Sequence, residues 1–455
     1  METRTSVEEY AARFPKSRAL YERAQGSFPR GATHDIRAVD PFPIYVTHAS
    51  GPYKWDVDGF EYVDYIGGHG ALMLGHAHPS LVSAVSEQVA RGTHYGASNE
   101  LEIEWAELIR SMIPSAEQVE FTASENEACM LAVRLARAFT GRDKIVKFRG
   151  QSGGWYDHFM VGAREPWDKP TSAGLLAADV ANTTAIPFND EDALVRSLSL
   201  RDVAVLMLEP TCGLTGLGIA PSFYKVIREA TEYYGTLLLF DEVVSGFRFA
   251  PGGAQVLRGI GPDLTALGKI VAGGLPGAGA VVGRKDIMAL LGQSDDPEWN
   301  RSKRVGHVGT FNANPISAAA GIATLKILAT GEPQAVAAQK ASLLRAGVRR
   351  AMENRGVAGC IYGESSYCQL HFGNCEMEDD CDRSICLNAR LARSPKLGHA
   401  LHIDLVLGGV HTANWGVDLF VSSTHDDVAI AKTVEAFDSA FGRMERDGIL
   451  KDRRQ

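Results

Sequence analysis

Two residues whose types do chemistry together stand 28 positions apart in this 455-residue chain, Asp241 and Lys269. Asp241 follows the apolar run Thr236-Leu237-Leu238-Leu239-Phe240, and Lys269 closes Asp263-Leu264-Thr265-Ala266-Leu267-Gly268-Lys269. A lysine amine can form a Schiff base with an aldehyde. A carboxylate beneath a heterocyclic ring can keep a ring nitrogen protonated and the ring electron-poor. Each residue alone also has an ordinary reading, the lysine as a solvated surface charge and the aspartate as a turn residue. The surrounding sequence gives the pair its weight.

The elements that must position them are legible from about residue 80 to 330, where helical patterns alternate with short apolar runs. Gln118–Thr122, Lys144–Phe148, Val203–Leu208, Thr236–Phe240 and Ala278–Val282 are rich in Val, Leu and Phe, as buried strands are. Such alternation predicts an α/β fold, a mostly parallel sheet covered on both faces by helices. Residues 1–30 suggest a polar helical lead-in with one apolar face from Tyr10, Ala11 and Phe14. Gly51–Gly59 carries an Asp58-Gly59 hairpin signal. After 330 come an Ala-rich helix, a strand over Gly356–Phe372, an acidic loop at Glu376–Asp380, strands near 401–422 and a last helix from Asp426. The expected division is a large domain over 61–330 and a smaller α+β domain over 331–455, with the N-terminal segment 1–60 packing against the latter.

In open α/β sheets ligands bind beyond the carboxyl ends of the strands. After Gln118–Thr122 the chain reads Ala123-Ser124-Glu125-Asn126-Glu127 and enters a helix, an anion site in outline because helix N-termini offer free N–H groups. The plainer alternative is a capping box between Ser124 and Glu127. Val243, two residues beyond Asp241, can pack on a ring face. Thr310, in Gly309-Thr310-Phe311-Asn312, can offer a hydroxyl and an N–H to a phosphate. Glu209 occupies another strand end, in Leu208-Glu209-Pro210.

The order and spacing of these pieces resemble the class III, fold-type I, pyridoxal-phosphate-dependent aminotransferases. The branch is that of glutamate-1-semialdehyde 2,1-aminomutase and the β-amino-acid aminotransferases. The likeness runs from about Gly31 to Phe441 and is most specific at Leu239–Arg248, Pro262–Lys269, Gly309–Asn312 and Arg134–Ile145. The resemblance implies pyridoxal 5'-phosphate as cofactor, Lys269 as its Schiff-base lysine, Asp241 as the partner of its ring nitrogen and Val243 as a ring contact. It places Ser124, Glu125 and Asn126 at the phosphate and Glu209 near the cofactor, orienting neighbouring groups. Thr310 would reach the phosphate of a neighbouring subunit, which implies an obligate homodimer.

Three departures stand out. Family members have Ser-Gly-Thr-Glu-Ala where this chain has Ser124-Glu125-Asn126-Glu127-Ala128. Asn126 can replace the threonine as a donor, but Glu125 sets a carboxylate beside a dianion, unfavourable unless it points away or pairs with a cation. Ser152 stands where an aromatic normally stacks on the ring, so either the stacking ring is missing or Trp155 or Tyr156 substitutes. Trp415 stands where β-amino-acid aminotransferases often carry a substrate arginine, which puts 2-oxoglutarate in doubt as acceptor. Arg37 matches the arginine that binds a substrate carboxylate in the aminomutase, a group suited to its planar fork, although a surface salt bridge would also account for it. His69 replaces an aromatic residue of the pocket. Leu214 stands where the aminomutase has an asparagine, against aminomutase identity.

The formal charge of −9 excludes a basic nucleic-acid footprint. The N-terminus lacks the apolar core of a secretory signal, and no apolar run is long enough to span a membrane. Seven cysteines include the group Cys360, Cys368, Cys375, Cys381 and Cys386, whose gaps fit no zinc spacing. Reduced thiols in the cytoplasm and no metal are therefore expected. The expected function is ping-pong transfer of an amino group from a small amine or amino acid to a keto acid or aldehyde. The alternatives are a 2,1-aminomutase and a binding protein that keeps the fold but has lost turnover.

Overall fold

The computed structural model describes residues 5–210, 220–373, 394–413 and 417–450. Two compact units divide the chain, one over Pro79–Gln334 and the other joining the residues through His78 to the C-terminal part from Ala335.

The terminal unit begins with helices Ser6–Arg13 and Pro15–Gln25 and strands β1 (Val46–Ser50), β2 (Tyr53–Asp56) and β3 (Glu61–Asp64). In the large unit follow β4 (Gln118–Thr122), β5 (Lys144–Phe148), β6 (Thr183–Ile186), β7 (Val203–Leu208), β8 (Leu237–Glu242), β9 (Leu264–Gly268) and β10 (Gly279–Gly283). The terminal unit closes with β11 (Gly359–Glu364), β12 (Tyr367–Phe372), β13 (Val410–His411) and β14 (Asp418–Phe420).

The seven strands of the large unit form one sheet in the order β4-β10-β9-β8-β7-β5-β6. From β9 to β6 every pairing is parallel. β10 runs antiparallel to both β9 and β4. The second reversal restores β4 to the direction of the parallel set, so the carboxyl ends of β4, β5, β7, β8 and β9 share one edge. Every residue of β7, β8, β9 and β10 is buried, the mark of a sheet covered on both faces. One cover is helix Glu125–Thr140, whose Ala128, Leu131, Ala132, Leu135 and Ala136 pack into a core with Val205, Leu239 and Ala266. Such helical spacing selects a single buried stripe, and each fully buried Leu or Val contributes about 1.5–3 kcal/mol. Gly141 ends that helix in the left-handed region at φ 67°, where a residue without Cβ is least strained.

In the terminal unit β1, β2, β3 and β13 form one sheet, and β11, β12 and β14 another. The hairpin signal at Asp58-Gly59 falls in the turn between β2 and β3. The span Gly356–Phe372, expected as one strand, is a β11–β12 hairpin turning at Ser365 and Ser366. The expected strands near 401–422 are corrected in part: Pro395–Leu407 is a helix, and only β13 and β14 are extended. Nine of that helix's residues are buried. A helix buried over most of its length shows little 3.6-residue alternation, and its mixed buried run imitates a strand. Its start is marked by Ser394, whose hydroxyl accepts the Leu397 N–H, with Pro395 at the first helical position.

No helix among the described residues is long and apolar enough to cross a membrane.

Candidate active site

The site of interest lies at the carboxyl edge of the large sheet. Asp241 and Ala266 are paired across β8 and β9, and Lys269 follows β9 directly in a short 3-10 turn, with its own φ at +49°. Left-handed backbone at a bulky non-glycine residue is strained and is found mostly at sites of function. Gly268, just before it, has no room for a side chain: a Cβ there would stand 2.6 Å from the Glu125 Cβ and 3.3 Å from Val243 Cγ1. This close approach brings the N-terminus of helix Glu125–Thr140 beside the lysine. The Lys269 ammonium lies 3.5 Å from the Glu125 carboxylate.

Asp241 is buried, and one of its oxygens accepts the Val243 N–H at 3.1 Å. The carboxyl has no other hydrogen bond among the described residues. Burial raises its pKa, while the Val243 N–H, Lys269 and Lys147 pull it back down. Glu209, after β7, is pushed up to about 7 by burial and then by the neighbouring charge of Asp241, against a Ser152 N–H bond and the charges of Lys147 and Lys269. Two carboxyls and two ammonium groups thus share one interior patch. Cys129 adjoins it as an inert thiol, its pKa raised by burial and by Asp241 and Glu125.

At the end of β4, the Ser124 hydroxyl accepts the Glu127 N–H at 3.3 Å and Glu127 accepts the Ala123 N–H at 2.8 Å. Ser124 therefore caps the helix. The N–H groups of Glu125 and Asn126 have no partner among the described residues, which leaves the first turn open to an anion. The Asn126 carboxamide oxygen accepts the Trp155 N–H at 3.0 Å. The two aromatic candidates for ring stacking differ in setting. The Trp155 side chain is 78% exposed, whereas Tyr156 packs edge-on against His158 and Phe159 at 5.2 and 6.1 Å. Val243 is buried in the large unit's core. Thr310 is exposed and has no hydrogen-bond partner among the described residues.

The remaining candidates belong to the terminal unit. Arg37 is exposed, donates to the Thr33 hydroxyl at 3.3 Å and makes no ion pair among the described residues, so the surface salt bridge does not account for it. His69 adopts φ +57° and stacks on His34 with ring centres 5.1 Å apart. Both Arg37 and His69 line a cavity of about 440 Å³ with Ile36, Val39, Ile44 and Ile66. Trp415 and Leu214 lie outside the described residues.

Lys147 and Gln151 were missed by the sequence reasoning. Lys147 is a buried lysine on β5, and Gln151 bonds both backbone groups of Glu209, at 3.1 and 3.0 Å. The available signal was a charge inside Ile145-Val146-Lys147-Phe148, where every neighbour is apolar. Among the described residues, no cluster of His, Cys, Asp or Glu is arranged to hold a metal ion.

A family model, Aminotransferase class-III, matches residues 36–389. The chain belongs to the class III aminotransferases. It is 37% identical over 444 residues to the glutamate-1-semialdehyde 2,1-aminomutase of Methanopyrus kandleri, covering 96% of this chain and 99% of that one. Among solved structures it superposes on an omega-transaminase from Sphaerobacter thermophilus with TM-score 0.85 and 32% identity, covering 94% and 98% of the two chains. A transaminase with bound pyridoxal phosphate matches at TM-score 0.84 and 31% identity, covering 96% and 99%. This class III aminotransferase is a fold-type I enzyme that works with pyridoxal phosphate. Its residues suit that group: an amine at Lys269, a buried acid with an unused oxygen at Asp241 and an open helix N-terminus at Glu125 and Asn126.

Proposed function

We propose that this class III aminotransferase is a transaminase, moving an amino group from a small amine or amino acid to a separate carbonyl acceptor. The observation that carries the site assignment is the strand pairing that sets Lys269 three residues beyond Ala266, the partner of Asp241. Pyridoxal phosphate supplies the sink for the electron pair released when the substrate C–H bond breaks. Lys269 Nζ would accept that proton and later release it, serving as general base and then as general acid. Asp241 would hold the ring nitrogen and keep it protonated. The first turn of helix Glu125–Thr140, with the Asn126 side chain, would hold the phosphate. Arg37 receives a substrate carboxylate, and His69 lines the same pocket.

The exposed Thr310 fits a second copy of the chain, with its hydroxyl given to the partner's phosphate in a homodimer. Size-exclusion chromatography with light scattering tests this, and a monomer that retains full activity would refute it.

A 2,1-aminomutase is the second reading, supported by the 37% identity to the Methanopyrus kandleri enzyme over nearly the whole chain. Dependence on an added acceptor separates the two. A transaminase stops after one equivalent of product per site when no acceptor is present, whereas a mutase turns over without one.

A further inference from the structure

The cavity that Arg37 and His69 share has polar walls that the proposed chemistry leaves unused. It lies wholly within the terminal unit, encloses about 440 Å³ and is also lined by Lys54, His402, His411 and Thr412. That volume is in the range of small-molecule sites. Two strand pairings and one helix assemble these walls. β13 runs parallel to β3 and sets His411 opposite Asp64. Asp64 accepts a hydrogen bond from the Lys54 ammonium of β2 at 2.7 Å and bonds the His76 ring at 2.6 Å. Helix Pro395–Leu407 brings in His402, whose ring centre lies 5.4 Å from that of His411.

Buried polar groups in folded proteins are nearly always hydrogen-bonded. Three here are not: the Nδ1 atoms of His402 and His411 and the Thr412 hydroxyl have no partner among the described residues. Burial, and then the charges of His399 and Lys54, lower the pKa of His402 to about 4. Burial, with Lys54 and His402, lowers that of His411 as well. Both rings are therefore neutral at pH 7, and each then has one donor and one acceptor nitrogen. No acid is among the described residues that line the cavity.

These facts rank the ends that a ligand could present. An ammonium or guanidinium finds no acid there and meets the charge of Lys54. A second carboxylate finds that cation already engaged by Asp64. Protonating His402 to receive it is disfavoured about a thousandfold at pH 7, from a pKa of about 4. An alkyl end leaves the imidazoles and the hydroxyl unpaired. A hydroxyl or carboxamide both donates and accepts, and so matches neutral rings.

We propose that this cavity selects a substrate with a carboxylate for Arg37, an aliphatic chain for Ile36, Val39 and Ile44, and an uncharged donor–acceptor group, hydroxyl or carboxamide, for His402, His411 and Thr412. The proposal rests on Arg37 receiving a substrate carboxylate, and it narrows the amine donor to an amino acid whose chain ends in such a group.

The test is calorimetric binding to the holoenzyme of carboxylates that lack a reactive amine: pentanoate, its terminal alcohol, glutaramate, glutarate and guanidinobutanoate. The alcohol and the amide should bind about tenfold tighter than pentanoate, while glutarate and guanidinobutanoate should bind no tighter than it. His402→Leu, and Thr412→Val, which removes a hydroxyl with little change of shape, should each cut the alcohol's advantage by about threefold or more and leave pentanoate within about twofold of native. A flat series, a glutarate or guanidinobutanoate tighter than the alcohol, or an advantage unmoved in both variants would overturn the proposal. Should H402L fail to fold, T412V alone decides. Arg37→Met separates the two ways of failing, because every carboxylate should bind it more weakly. Native affinity for the whole series in R37M removes the carboxylate assignment and the proposal with it. A flat series in the native enzyme that R37M still weakens removes the proposal alone.

Discussion

The ammonium of Lys269 lies 3.5 Å from the carboxylate of Glu125. In the proposed assignment Glu125 sets a negative charge at the phosphate turn, and the Lys269 ammonium gives that charge a cation, one of the two conditions under which it is tolerable there. The pairing holds only while Lys269 carries its proton. In the proposed assignment, a Lys269 amine committed to an aldehyde would leave Glu125 beside the phosphate dianion with less compensation.

Replacement of Glu125 by Gln is therefore expected to tighten binding of pyridoxal phosphate by roughly three- to tenfold, since the side chain is partly exposed and solvent screens the repulsion. Equilibrium titration of the cofactor-free enzyme measures this. Affinity unchanged or weaker in E125Q would show that the carboxylate does not oppose the phosphate.

Lys269→Ala is expected to lower the rate of the first half-reaction by roughly 10²–10⁴-fold, the range for a positioned proton-transfer group. Its fold should survive, because a partly exposed ion pair contributes at most about 1 kcal/mol. Single-turnover kinetics alongside thermal unfolding distinguish loss of chemistry from loss of structure.

Gly279→Ala tests the geometry that places the phosphate turn. A Cβ at this position of β10 would collide with the Thr122 hydroxyl and with the Ser124 carbonyl, the latter a backbone atom without freedom to retreat. Overpacking of this kind costs about 1–3 kcal/mol. The expected result is a lower melting temperature together with weaker cofactor binding.

The pH dependence of stability follows from buried groups in the terminal unit. Burial lowers the pKa of His402 and of His425 to about 4, against about 6.5 unfolded. The unfolded chain binds more protons between these values, so stability is full above about pH 6.5 and declines as pH falls towards 4, by roughly 3 kcal/mol per histidine at most. Asp404 acts in the opposite sense. Burial raises its pKa to about 6, so its contribution falls as pH rises from about 4 to 6. Burial lowers His411 as well, so three histidines stand against Asp404 and, in the large unit, Glu209, and the melting temperature should rise from pH 4 to 6.5. His402→Leu should flatten that rise.

Much of the large unit was legible because its strands are buried on both faces. β4, β5 and β7 match the expected runs residue for residue; β7 is apolar and buried throughout, while β4 and β5 keep an apolar centre between polar ends such as Gln118, Thr122 and Lys144. Direction was not legible: β10 has the same composition as its parallel neighbours, and nothing in Gly279–Gly283 announces an antiparallel strand. Lys269 and Asp241 could be read because their chemistry is set by residue type and by closeness to strand ends. Lys147 could not, because its partners are the carbonyls of Ser152 and Phe159, which its own strand segment does not specify. The buried Lys54–Asp64 pair at 2.7 Å in the terminal unit was hidden for the same reason, as it joins two strands whose register no local pattern records.

Transfer of the amino group to a separate acceptor is the central claim, and the most direct measurement of it is product formed per active site without that acceptor. The holoenzyme would be mixed with a panel of α-, β- and ω-amino acids and amines, and the carbonyl product counted before and after a keto acid or aldehyde is added. Transamination predicts one equivalent per site at first, with continued turnover only after the addition. Repeated turnover without an acceptor, or no product from any donor, would contradict it.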